Sequence, residues 1–147
     1  PTISAGAKET LKLGPDDLMI GAPKGAAMLQ PFLPAVGEEG EMSLFYFGGA
    51  FSHAVVKVAQ AGDFRVQPHL GGRVTTLEPS EEAFAAAEAV LAAAPGRPAY
   101  ARVDLIRRRD GRLALMELEM IEPALFLDHA PDGGKAFARA MRAAIGG

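Results

Sequence analysis

Cysteine is absent from the 147 residues, and so is tryptophan. Without Cys there can be no disulfide and no thiolate metal site, and a reducing, cytoplasmic setting is the expectation. Long apolar runs are missing too. None reaches the ~18 uninterrupted residues that a membrane-spanning helix needs. The opening PTISAGAKET has neither a basic n-region nor an apolar h-region, so it does not read as a signal peptide. Neither charge dominates: Lys and Arg total 15 against 18 Asp and Glu, a formal net charge of -3. That removes the basic footprint of a protein for nucleic acid or anionic membrane. What remains, 49% hydrophobic and 22% charged, is ordinary for a folded chain with one real core.

The strongest local signal lies at Ala99 to Ile121, AYARVDLIRRRDGRLALMELEMI. Asp110-Gly111 between two apolar-alternating runs predicts a β-hairpin with a two-residue type I′ turn, which needs positive φ at both positions. Arg109 would then face Arg112. Counting outward places Asp104 opposite Glu117 and Arg102 opposite Glu119. Side chains alternate along strands, so these four share one face. Ala101, Val103, Leu105, Met116 and Leu118 fall on the other, apolar face. Facing Cβ atoms sit roughly 5 Å apart, and like charges there are destabilising. Three remedies exist: a protonated carboxylate, a cationic side chain between the acids, or a divalent metal. Magnesium would take the hard oxygens of Asp104, Glu117 and Glu119. A solvated acidic strand face balanced by arginines satisfies the same spacing.

Elsewhere the chain reads as short strands and helices. Small residues at Ser4 to Ala7 suit a turn or a loop that approaches a phosphate closely. Thr10 to Leu13 is expected as a short strand, and Pro15 to Asp17 as the start of a short helix. Ala26 to Leu33 is a strand candidate that ends near Gln30 because Pro31 cannot sit in a central strand. Val36 to Gly40 reads as a loop. Glu41 to Gly48 is apolar on both faces, like a buried strand; Gly48-Gly49 signals a hairpin, and Phe51 to Val58 returns. His53 in that strand is expected to be packed or hydrogen-bonded. Asp63, Arg65 and Gln67 alternate, so extended chain would point them one way, and an arginine so placed can grip a phosphate bidentately or line a solvent-facing edge. Arg73 to Leu77 is a further strand. Ser80 caps the clearest helix, to Ala94, with Phe84, Ala87, Val90, Leu91 and Ala94 as its stripe. Asp132 would cap a last helix to Ile145, with Phe137, Ala138, Met141 and Ile145 inward.

Taken in order, these motifs resemble the ATP-grasp superfamily of carboxylate–amine ligases, in particular its prokaryotic glutathione-synthetase-like and ribosomal-protein glutamate-ligase-like branch. GEMSLFYFGGAFSHAVVK and IEPALFLDHAP are especially like members related to cycloserine-biosynthesis ligases. The resemblance implies an α+β fold, the C-terminal part of ATP-grasp, with a largely antiparallel sheet and flanking helices. Residues 1–40 would be the C-terminal half of the small lid and hinge subdomain, and 41–147 the metal-bearing subdomain. Asp104 matches the family's first-strand Asp and Glu117 its second-strand Glu. Glu119 stands where Asn is usual, which keeps an oxygen ligand and adds charge. Arg65 matches an arginine on phosphate or substrate carboxylate, and Gln67 replaces an Asn. Gln30, Phe32 and Leu33 match the hinge along adenine, Glu41 the acid on the ribose hydroxyls, and Ser4 and Gly6 the loop over the phosphates.

The implied cofactors are ATP and Mg2+, with two ions in an intact enzyme. The implied chemistry is amide formation through an acylphosphate, from a small carboxylate and an amine, with ADP as product. Phosphoryl transfer needs positioning and charge neutralisation more than acid–base groups, which suits Arg65 and Arg102 as the catalytic candidates. Family members carry a lysine just before the proline that Pro1 matches, and an N-terminal lobe. The chain is therefore expected to be the C-terminal part of a larger ligase, inactive alone. The alternative is a non-catalytic nucleotide-binding or assembly module of the same fold, and a homo-oligomer is the partner such a module would have.

Overall fold

The computed structural model describes residues 13, 14, 17, 30–60, 66 and 71–146. The expectations for Ser4 to Ala7, Thr10 to Leu13, Pro15 to Asp17 and Ala26 to Gln30 lie wholly or mostly outside those residues, as do those for Asp63, Arg65 and Gln67. Helix α1 (Ala35–Glu38) leads into strands β1 (Glu41–Phe47), β2 (Ala50–Val58) and β3 (Arg73–Thr76). Helix α2 (Glu81–Ala93), strands β4 (Tyr100–Arg107) and β5 (Leu113–Glu119) and helix α3 (Lys135–Ile145) follow. The strands form one sheet in the order β3-β2-β1-β4-β5, and every neighbouring pair is antiparallel. The α+β class with a largely antiparallel sheet and flanking helices is therefore what the chain adopts.

One face of the sheet carries Leu44, Tyr46, Ala54, Val103 and Leu105, which pack on Ala83 and Ala87 of α2. Alanines let this helix lie close to the strands, and Phe84, Val90 and Leu91 fill its flanks. The Ser80 hydroxyl accepts from the Ala83 amide, the N-cap expected there. The other face is divided. Its apolar half holds Phe45, Phe47 and Val55 under Leu125, Phe126 and α3. Its polar half holds Glu41, Ser43, Lys57, Arg102 and Asp104, all buried.

Four local expectations are corrected. Val36 to Gly40 is not a plain loop: α1 forms there, and its end is closed by the Gly40 amide donating to the Ala35 carbonyl. Gly40 has φ 87°, the left-handed conformation that suits glycine after a helix. The turn at Asp110-Gly111 is also different. Arg108 N–H donates to the Arg112 carbonyl, and of the turn residues only Gly111 has positive φ, at 82°. The loop is thus Arg109 to Gly111, a three-residue hairpin with glycine at its left-handed position rather than a type I′ turn. Met116 is not on the core face of β5; it is the bulged residue, for Leu105 pairs with Leu115 and Asp104 with Glu117. The stripe of α3 is Ala136, Phe137 and Ala140, whereas Ala138 and Ile145 are exposed. Asp132 does cap that helix, but from outside it, accepting from the amides of Gly134 and Ala136.

Candidate functional site

The polar half of the sheet gathers the acids. Register places Ser43 beside both Val55 and Asp104, Asp104 beside Glu117 and Val55 beside Thr76, so one row crosses all five described strands. The next row runs His53, Phe45, Arg102 and Glu119. On the opposite side of the Ser43 row, Glu41 faces Lys57. Asp104, Glu117 and Glu119 therefore share a face, as the hairpin counting required.

Arg102 sits at the centre. Its Nε lies 3.1 and 2.9 Å from the two carboxylate oxygens of Asp104. Its Nη2 is 2.9 Å from Asp104 Oδ2 and 2.6 Å from Glu117 Oε2, and its Nη1 is 2.8 Å from Glu119 Oε2. One guanidinium thus serves three carboxylates, which is the second of the three remedies for facing acids. Asp104 is held further by the Ser43 hydroxyl, which donates to Oδ1 at 2.5 Å, and by Lys57 Nζ at 3.3 Å from Oδ2. Lys57 also meets Glu41 at 2.5 Å. The acids differ in access: the Asp104 side chain is 1% exposed, Glu119 24% and Glu117 56%.

These neighbours set the proton affinities. Burial pushes the Glu41 carboxyl above its usual range, against the pull of Lys57. Burial also raises Glu117, with Arg102 opposing and Asp104 and Glu119 adding to the rise. Burial alone would lower the Arg102 pKa, but the Asp104, Glu119 and Glu117 carboxylates outweigh it and raise it. The guanidinium is a permanent cation here.

Lys57 and Ser43 are members that the sequence reading missed. Counting back from Gly48-Gly49 without a bulge pairs Glu41 with Val56. The bulge at Ser52, between the pairs Phe45–His53 and Tyr46–Phe51, shifts the register and brings Lys57 opposite Glu41. A lone lysine in the apolar run HAVVKV was the available signal. Ser43 needed the β1–β4 pairing, which no local turn specifies.

His53 is a packed residue, as expected. Its ring stacks on Phe45 at 4.4 Å and 5°. Nε2 donates to the Leu125 carbonyl at 3.0 Å, so Nδ1 is the acceptor for Ser52 Oγ in the neutral ring. Of the expected hinge, Gln30 is exposed, Phe32 is 38% exposed and Leu33 is half-buried, just before α1. Ser4, Gly6, Arg65 and Gln67 lie outside the described residues.

The donor set suits magnesium in its chemistry: three carboxylates, two of them reachable from solvent, on one rigid face. As arranged, all three are turned onto Arg102, and among the described residues no acidic or histidine side chains are grouped to hold an ion by themselves. The residues fit the ion, provided Arg102 releases its outer partners.

No protein-family model matches the chain. It is 34% identical to the cycloserine biosynthesis protein DcsG of Streptomyces lavendulae over 126 residues, 78% of this chain and 40% of that protein. The chain thus spans about two fifths of that relative. Among solved structures, D-cycloserine synthetase DcsG superposes with a TM-score of 0.67 at 31% identity, over 79% of this chain and 41% of that one. A D-alanine–D-alanine ligase from Bacillus anthracis, solved with ATP, gives 0.53 at 20% identity, over 71% and 38%, a likeness of fold alone.

Proposed function

We propose that this chain, a homologue of the ATP-grasp ligases in sequence and fold, is the metal-bearing part of an ADP-forming carboxylate–amine ligase. The observation that carries the reading is the convergence of Asp104, Glu117 and Glu119 around Arg102 on one face. Glu117 and Glu119 would hold magnesium, with Asp104 behind them. The ion would neutralise nucleotide phosphates and stabilise charge on the transferred phosphoryl group. Arg102 supplies a fixed positive charge beside it. Glu41, buried and paired with Lys57, is a fixed acid at the sheet's end, where the family resemblance assigns the ribose. Gln30, Phe32 and Leu33 would border adenine, Ser4 and Gly6 would cover the phosphates, and Arg65 and Gln67 would add phosphate or substrate contacts. Residues 1–40 and 41–147 would belong to two subdomains of the whole enzyme. Turnover would need the remainder of that enzyme, and the acid and amine would be small molecules.

The test is thermal melting of the 147-residue chain with Mg2+ and ADP. Ligand that binds the folded state raises the midpoint by mass action. The chain should be stabilised by the pair together, and Glu117→Gln should lose most of that rise while keeping its own midpoint. Equal stabilisation of both forms by Mg2+ and ADP would remove Glu117 from the role.

A further inference from the structure

The charges around Arg102 are not balanced. Glu41, Asp104, Glu117 and Glu119 carry four negative charges, and Lys57 and Arg102 carry two positive ones. Among the described residues the set is two charges short of neutrality, the charge of one divalent ion. The contacts are also unequal in strength. Asp104 is buried and held from three sides, by Ser43, Lys57 and the Nε edge of Arg102. Among the described residues Glu117 and Glu119 pair only with the outer Nη atoms, and both reach solvent. An exposed carboxylate that leaves a cation is resolvated, whereas Asp104 could not be.

From this we infer that Arg102 and a divalent cation are alternative partners of Glu117 and Glu119: the guanidinium is the resident counter-ion, and an ion entering must take the two glutamates from Nη1 and Nη2 while Nε stays on Asp104. The inference rests on the metal-binding reading above and adds an antagonism to it. Arg102 keeps the acidic face closed and folded without metal, and it weakens binding of a bare ion. When the glutamates turn to the ion, Nη1 loses the Glu119 oxygen and Nη2 loses the Glu117 oxygen while it stays 2.9 Å from Asp104 Oδ2, and the freed N–H edges face the same opening. An anion arriving with the metal would then find two unpaired N–H edges, so metal and anion should bind together better than either alone.

Two measurements on the 147-residue chain test this. The first is Mn2+ binding without nucleotide, followed by the electron-spin signal of the free ion, for the natural chain and for Arg102→Gln. Removing the resident cation should tighten Mn2+ binding about tenfold or more. The second uses the natural chain only, so it stands if the variant fails to fold. With arginine side chains labelled by nitrogen-15, titration of Mg2+ with ADP should shift the Arg102 Nη signals and leave Nε in its ion-paired position. Unchanged or weaker Mn2+ binding by a folded Arg102→Gln, or Nη signals that stay fixed while the Glu117-dependent stabilisation appears, overturns the antagonism and leaves the metal reading standing. No Mn2+ binding by either form, with no stabilisation by Mg2+ and ADP, overturns both.

Discussion

Asp104 illustrates how a single side chain can be legible in role and hidden in surroundings. Its position opposite Glu117 follows from the hairpin alone. That it is sealed at 1% exposure, between Ser43 and two cations, follows only from β1 and β2 arriving beside β4. Removing one partner of a buried ion set leaves the rest unpaired, so Asp104→Asn should cost about 3 kcal/mol or more in urea unfolding. Ser43→Ala removes one hydrogen bond and should cost about 1–2 kcal/mol by the same measure. Equal costs would mean that the charge of Asp104 does not hold the polar half together. His53 gives a second residue-scale expectation. Burial lowers its pKa below the ordinary histidine value of 6.5, against the Leu125 carbonyl. The folded-state value being depressed, the stability it confers is complete above 6.5 and is lost as pH falls toward the folded value, because the unfolded chain takes the proton first. Glu41 and Glu117 work oppositely, since their raised values give stability present below 4.5 and lost as pH rises. The difference between the natural chain and His53→Gln isolates the histidine. Melting temperatures should fall more steeply for the natural chain between about pH 7 and 5.5. Parallel slopes would assign the ring no protonation cost.

Elements decide whether those residues meet. In LALMELE, Leu113, Leu115, Glu117 and Glu119 have one parity and an unbroken strand would put all four on one face. The bulge at Met116 separates them: Leu113 packs on the α2 side, while Glu117 and Glu119 join Arg102. The two-residue loop expected from Asp110-Gly111 is one residue too short and the bulge adds one residue on the other side, so the two differences cancel at Asp104 and beyond. The hairpin's existence was legible because Asp-Gly is strong local chemistry. The bulge was not, because it is selected by packing on α2 rather than by any turn residue. The Ser52 bulge had the opposite consequence and hid Lys57. Gly40 ties these elements together at the start of β1. A Cβ there would lie 2.6 Å from the Lys57 carbonyl and 2.8 Å from a Val56 methyl, on a backbone with φ 87°. The left-handed conformation alone costs roughly 1–2 kcal/mol for other residues, and the clash falls on strand backbone that cannot yield. Gly40→Ala should therefore lower stability by more than about 2 kcal/mol, read from the urea midpoint. A loss under half that size would mean that β1 can enter the sheet another way.

At the scale of the whole molecule, the antiparallel hairpins β1–β2 and β4–β5 were legible, and the pairing that joins them was not. β1 and β4 come together across more than fifty residues of chain, an α-helix included, and no turn residue encodes a contact of that range. Yet this pairing makes the site, for it sets Ser43 against Asp104 and brings Lys57 within reach. It also makes the centre of the fold. β1 is covered by α2 on one face and by Phe126 and α3 on part of the other, and Leu44, Phe45 and Val103 are fully buried. Among the described residues β3 and β5 are the sheet's edges, and Leu115 on β5 is 47% exposed. Amides open to exchange with the least cost where few buried contacts are lost, so protection should be graded across the sheet. Native-state hydrogen exchange should be slowest at Leu44, Phe45 and Val103, which open only with global unfolding, and faster by about 2 kcal/mol or more in β3 and the outer half of β5. Because Glu117 and Glu119 lie on that outer strand and Asp104 on the inner one, Mg2+ with ADP should slow exchange in β5 far more than in β1. If β1 exchanges as fast as the edges, the central pairing is not what holds the molecule. If β5 keeps its rate when the ligands are added, the outer glutamates do not receive them.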